Sequence, residues 1–228
     1  IVFDEVQLCE RALTSLKYFC EDAPDYHIIV AGSLLGVAVN RAKFSFPVGK
    51  VDMKTLYPMD MEEFMLALGE DDLVEQIKKC FQTDTPLPSA LHDAAMQFYR
   101  QYLVVGGMPE CVMQFAGTKD YILVRHTQDT ILASYLNDMS KYNNLNEIKK
   151  TRLAYDNITV QLSKKNTRFQ YKLIKKGGRA SEFKNAIEWI CLSGIVSQVY
   201  KVEQIKKPLE NYRDIDAFKI YVSDLGLL

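Results

Sequence analysis

The chain has 228 residues and is poor in histidine and tryptophan, with three and one, and its five cysteines show no C-x-x-C spacing. Cys9, Cys20, Cys80, Cys111 and Cys191 are scattered and odd in number, which excludes a disulfide frame and a cysteine zinc site. They predict reduced core thiols in a cytoplasmic protein. The longest apolar stretches, such as His27 to Val39, fall short of the roughly 18 residues of a membrane span, so no membrane association is expected. A basic-then-apolar leader is absent, leaving secretion without support. Internal repeats and low-complexity tracts are missing as well. What is present is a chain that is 48% apolar, enough to bury one or two cores, which excludes wholesale disorder. It opens Ile1-Val2-Phe3 without Met, in the middle of a strand-like run, so it is expected to be part of a longer protein.

The near-zero net charge conceals an asymmetry. Residues 1–140 carry a net −9, residues 141–207 a net +10 and residues 208–228 a net −2. An acidic first part and a basic later part suggest two or more modules, the basic one facing something anionic. Clustered charge on a solvated surface is the plain alternative.

Periodicity gives an α/β beginning and a helical middle. Leu8, Ala12, Leu16 and Phe19 form one stripe of a helix that ends near Pro24. His27 to Ala31 is β-branched and stops at Gly32-Ser33, as a buried parallel strand does. Val51, Met53, Thr55 and Tyr57 alternate with polar neighbours over Lys50–Tyr57 and predict a third strand. Helices are expected around Met61–Met65, around Leu73, Ile77 and Phe81, over Leu91–Val104 and over Tyr121–Met139, with a break at Gly106-Gly107-Met108-Pro109. Farther on, helices over about 146–163 and 180–193 precede a strand from Ile195 to Val199, a polar loop from Glu203 to Asp216 and a strand from Phe218 to Val222. That order is the one of a winged-helix module, with the loop as its wing. The fold class expected is α/β plus mainly α: a partial P-loop parallel sheet over 1–58, a helical lid over 59–140 and a winged helix over 141–228.

The run Ile1-Val2-Phe3-Asp4-Glu5 ends an apolar strand in two acids. At the C-terminal edge of a parallel sheet, where ligands of such sheets bind, an Asp can hold Mg²⁺ through water. A following Glu can orient a water for attack on a γ-phosphate. Alone, such a pair is more often a solvated turn or a helix-start cap.

Asp4-Glu5-Val6-Gln7, a helix, and His27 to Ala31 with Gly32-Ser33 together resemble the Walker B and sensor-1 segments of AAA-type P-loop ATPases. More closely, the chain resembles the prokaryotic ATPases that join this core to a winged helix and, farther on, a nuclease-like domain. The marks are DEVQ at 4–7, AGSLLG at 31–36, LYPMDMEEF at 56–64, GGMPE at 106–110 and YVSDLGLL at 221–228. The resemblance implies ATP and Mg²⁺ binding, with Asp4 on the metal side, Glu5 activating water and Ser33 as polar sensor. It departs from the family in lacking any G-x-x-x-x-G-K-S/T, the loop whose amides and Lys cradle phosphates. These residues alone are therefore expected to hold no nucleotide tightly, and a phosphate loop is expected upstream of Ile1. Gly49-Lys50 stands where the family often shows Gly-Arg, and Lys lacks the bidentate fork of Arg. Arg41, Arg100 and Arg125 remain as arginine-finger candidates or surface residues. His27, His92 and His126 show no ligand spacing.

Lys164, Lys165, Arg168, Lys172, Lys175, Lys176, Arg179 and Lys184 crowd the approach to the helix at 180–193, with Ser181 and Asn185 near its start. A winged helix would lay that helix in a DNA groove and its basic flanks on phosphates. Contact with protein instead, a second copy of the chain or another partner, stays open, and Trp189 fits a core or a partner surface. The function expected is ATP-driven switching coupled to DNA or a partner protein. The rival is a non-enzymatic winged-helix DNA-binding regulator with a degenerate ATPase core.

Overall fold

A computed structural model describes residues 1–6, 9–32, 49–142, 145–164 and 168–228. Strand β1 (Val2–Phe3) pairs in parallel with β2 (Ile29–Val30), Val2 opposite Ile29 and Phe3 opposite Val30. Helix α1 (Glu10–Asp22) makes the crossover and stops just before Pro24, as its sequence requires. Its Leu13 and Leu16 bury against Val6, Phe3, Val30 and Val51 to form a small core under the sheet.

The expected third strand over Lys50–Tyr57 does not form. Residues 51–60 carry no ladder, and Leu56 and Tyr57 are 96% and 74% exposed. Alternation specifies a strand only where a neighbouring strand accepts its hydrogen bonds, and none runs beside this segment among the described residues.

The second core is helical: α2 (Met61–Ala67), α3 (Asp71–Gln82), α4 (Ser89–Val105), α5 (Pro109–Thr118) and α6 (Tyr121–Tyr142). Asp60 and Glu63 close a reciprocal cap on α2, each side chain accepting the other's backbone N–H at 2.9 Å. Phe64 stacks on Phe115 at 6.2 Å between ring centroids, inside a cluster with Met65, Val105, Cys111, Val112 and Val124. Phe81, expected on the buried stripe of α3, is 88% exposed. It lies in the last turn of the helix, beyond the two residues, Leu73 and Val74, that the helix buries.

The third core gathers α7 (Leu145–Leu162), the one-turn α8 (Tyr171–Ile174), α9 (Ala180–Leu192) and the antiparallel hairpin of β3 (Val196–Val202) and β4 (Arg213–Val222). The ladder runs from Val196 opposite Val222 to Tyr200 opposite Phe218, then shifts register before Lys201 pairs with Asp214. Strand β4 therefore begins at Arg213, inside the segment read as a polar loop. Its opening residues are charged, yet the shift after Tyr200 gives them partners on β3. The Phe169 N–H donates to the Phe218 carbonyl at 2.8 Å, adding an extended residue beside β4, and the two rings stack at 5.4 Å. Phe183, Ile187 and Ile190 of α9 fill the centre with Trp189, which is core.

Removing the ring of Phe183, which has no exposed surface, leaves a cavity the rigid surround cannot close. Phe183→Ala should lower unfolding free energy by about 3–5 kcal/mol in urea melts, where a loss under 1 kcal/mol would contradict this packing.

Candidate functional site

Two bonds to one residue fix the strand-end acids. The Ala31 N–H donates to the Phe3 carbonyl at 2.8 Å, and the Val6 N–H donates to the Ala31 carbonyl at 3.1 Å. Asp4 and Glu5 lie between those two points, beside the Ala31-Gly32 corner at the C-terminal end of both strands. Both side chains are exposed, and the backbone of Glu5 turns through a left-handed φ of 50° while its N–H meets Asp4 Oδ1 at 2.9 Å. Ser33 and Arg41 lie outside the described residues.

The chemistry of Asp4 fits one water-mediated contact to Mg²⁺, a hard oxygen in an accessible place. Among the described residues no group of three or more His, Cys, Asp or Glu converges to hold a metal directly. An open apolar groove of about 550 Å³ flanks the same sheet, lined by residues of α1, by Val30 and by Val51 and Met53, and the acids do not line it.

The basic residues are spread over one end of the third core. Lys172, Lys175, Lys176 and Arg179 are exposed around the α8–α9 turn, and Lys164 is exposed after α7. Lys165 lies outside the described residues. On α9, Ser181, Lys184 and Asn185 share the exposed face opposite Phe183 and Ile187. Lys175 pairs with Glu182 at 3.1 Å, and the Arg168 guanidinium donates to the Asp216 carbonyl at 3.1 Å, so Arg168 is engaged with β4. Of the finger candidates, Arg125 pairs with Asp129 at 3.1 Å and Arg100 is exposed; Lys50 pairs with Glu21 at 3.3 Å. His27, His92 and His126 are exposed and far apart in the chain. All five cysteines are free, but Cys9 and Cys20 are exposed and not core thiols: they fall at the two ends of the Leu13–Leu16 stripe, beyond the small core, and Cys20 borders the open groove beside it.

A third constellation joins residues that sequence reasoning marked only as separate motifs. The Asp224 carboxylate is buried, 4% exposed, and accepts the N–H of Gly107 through one oxygen and that of Gly226 through the other, at 2.8 Å for Gly226. The amides of Met108 and Leu227 also face it. A side chain at Gly106 would collide with the carboxylate and one at Gly107 with the Met59 carbonyl, so both positions admit only glycine. The Met59 N–H donates to the Gly107 carbonyl at 2.7 Å, and the Tyr102 hydroxyl donates to the Met59 carbonyl at 2.9 Å. Gln128, buried on α6, donates to the carbonyls of Val104 and Val105 at the end of α4. The Tyr155 hydroxyl donates to the Leu227 carbonyl at 2.7 Å. The sequence marks each partner locally, as paired glycines ending a helix and an Asp two residues before a Gly, but carries no signal of their meeting.

Burial pushes the Asp224 carboxyl above the usual carboxylate range, against the downward pull of the four backbone amides. Its charge in turn helps raise Tyr102, Cys111 (to about 11), Tyr135 and Tyr155 (to about 12), each raised first by its own burial. No helix among the described residues is long and apolar enough to cross a membrane.

Comparison with known proteins follows the same division. A model described as a domain of unknown function, DUF8612, matches residues 96–228, more than half of the chain. A model described as an AAA domain matches residues 1–65, the stretch that holds the acid pair. The solved structure of the Walker-type ATPase PABY2304 of Pyrococcus abyssi superposes with a TM-score of 0.56 at 12% identity, covering 99% of this chain and 61% of that one. At that identity the likeness shows the fold, a mostly helical Walker-type ATPase architecture with a small parallel sheet. The chain thus spans under two thirds of the length of that structure. No curated protein matches. The chain belongs to the DUF8612 family.

Asp224 binds its proton more tightly folded than unfolded, so its contribution to stability is full below about pH 3.9 and is lost as pH rises through its raised pKa. Measured against Asp224→Asn, whose amide does not titrate, wild-type stability in urea melts should fall across that window and level off above it. A wild-type advantage that grows with pH would overturn this assignment of the shift.

Proposed function

We propose that the chain belongs to an ATPase that binds ATP with Mg²⁺ and couples its hydrolysis to contact with DNA. In this reading Asp4 holds Mg²⁺ through water, and Glu5 orients the water that attacks the γ-phosphate in line. Ser33 senses the phosphate, and the phosphate cradle is supplied from outside these 228 residues. Bound ATP and Mg²⁺ would supply the transferable phosphoryl group and its charge neutralisation. The observation that carries the reading is the placement of Asp4 and Glu5 between two hydrogen bonds to Ala31, at the edge of a parallel pair where phosphates of such sheets sit. The AAA match over residues 1–65 and the Walker-type fold support it.

The contact with DNA rests on α9. Helix, short helix, helix and hairpin follow one another in the order of a winged helix, and α9 turns Ser181, Lys184 and Asn185 outward. Lys172, Lys175, Lys176 and Arg179 flank that face as phosphate contacts would. The net +10 of residues 141–207 gives this end a field that attracts a polyanion.

Glu5→Gln in the full-length protein should keep ATP binding, measured with a fluorescent nucleotide, and lower turnover by roughly 10²-fold or more. Undiminished turnover would remove Glu5 from the reaction. Replacing Lys175 and Lys176 by Ala should lower the salt dependence of duplex DNA binding by a slope of about 2, one per phosphate contact. An unchanged slope would move DNA off this face.

A further inference from the structure

Three segments far apart in the chain meet at one carboxylate. Met59 closes the irregular stretch that follows the sheet, Gly106 to Met108 link α4 to α5, and Asp224 to Leu227 follow the hairpin. Asp224 bonds to the second of these and, through Gly107, holds the first, while Gly226 packs against the Val105 carbonyl and Gln128. The groups that feel its charge from the surrounding helices are the weak acids Tyr102 of α4, Cys111 of α5, Tyr135 of α6 and Tyr155 of α7, and Arg125 of α6, paired with Asp129, borders the cleft beside Gly226. Backbone amides are what answers its charge, and they offset only part of the desolvation cost of the buried carboxylate. Such a contact is poised between closed and open. Once the carboxylate leaves, water solvates it and the amides of the glycine turn together.

We propose that Asp224 and the Gly106–Met108 turn form a releasable latch, whose opening frees the segment after β4 and the Met59 strap in one step while the third core stays folded. The helical core and the hairpin module would then move relative to each other at this joint. The inference stands on the geometry around Asp224 and does not depend on the ATPase reading.

The raised carboxyl supports a direction. The closed state holds the proton more tightly than a hydrated carboxylate does, so acid favours closure and rising pH favours opening until the carboxylate is fully ionised.

Amide hydrogen exchange of the whole chain tests the latch. In the wild type, the amides of Met59, Gly107, Gly226 and Leu227 should exchange with a common opening constant at least about 100-fold larger than that of Ile187 and Ile190 in α9. Asp224→Ala should raise exchange at those four amides together, by about 10-fold or more, and leave α9 unchanged. Exchange of the four only through global unfolding, at the rate of α9, would overturn the latch. So would exposure of Gly226 and Leu227 by Asp224→Ala without Met59 and Gly107. Should Asp224→Ala fail to fold, Tyr155→Phe removes only the bond to the Leu227 carbonyl. It should raise all four amides by a smaller common factor, and a rise confined to Leu227 would refute the proposal.

Discussion

A carboxylate that accepts two backbone N–H groups from opposite directions can hold two segments only if both approach it without side chains in the way. Gly106, Gly107 and Gly226 provide that approach around Asp224, and the rest of the arrangement follows from it. With Gly107 fixed, its carbonyl takes the Met59 N–H, which sets where Asp60 starts the α2 cap. With Gly226 fixed, Leu227 presents its carbonyl to Tyr155 on α7. This polar contact works beside the packing of Tyr135 and Leu136 of α6 on the third core to set the relation of the second core to the third. The apolar clusters on either side give most of the stability but little of that alignment, because hydrophobic contact is non-directional.

The DUF8612 match, from residue 96 to 228, spans both the Gly106–Met108 turn and Asp224 and crosses the change of charge near residue 140. Helices α4 to α6 and the hairpin module share the Asp224 joint, so they behave structurally as neighbours even though one side is acidic and the other basic. The AAA match stops at residue 65, just past the α2 cap that Met59 leads into. Sheet and C-terminal module are linked through this strap and the glycine turn.

Much of the fold was legible because its signals are local. The helices expected over Leu91–Val104, Tyr121–Met139 and about 146–163 and the pairing of the last two strands follow from periodicity and from Pro and Gly stops, whereas the buried strand expected over His27–Ala31 forms only at Ile29–Val30, with Ile29 64% exposed. Residues 51–57 misled because alternation reports a half-buried surface, and no partner strand lies beside them among the described residues. Helix α5 was hidden by its position: Gly106-Gly107-Met108-Pro109 reads as a break, yet Pro109 sits at the first helical position, where its missing N–H costs nothing. At the candidate site the acids that follow β1 stand out in the sequence by type and order alone, and the structure has them exposed at the strand end. Asp224 was visible only as a letter in a motif, since its role depends on a partner 117 positions away, a separation no local pattern encodes.

Whether one joint aligns the two cores is best measured by a double-mutant cycle between Tyr102→Phe, which frees the Met59 carbonyl, and Tyr155→Phe, which frees the Leu227 carbonyl. If Asp224 and its glycine turn tie these ends into one unit, the two losses in unfolding free energy couple by about 0.5 kcal/mol or more. Losses that add within about 0.3 kcal/mol would mean that the two ends are anchored independently, and the account of a single organising carboxylate would be wrong.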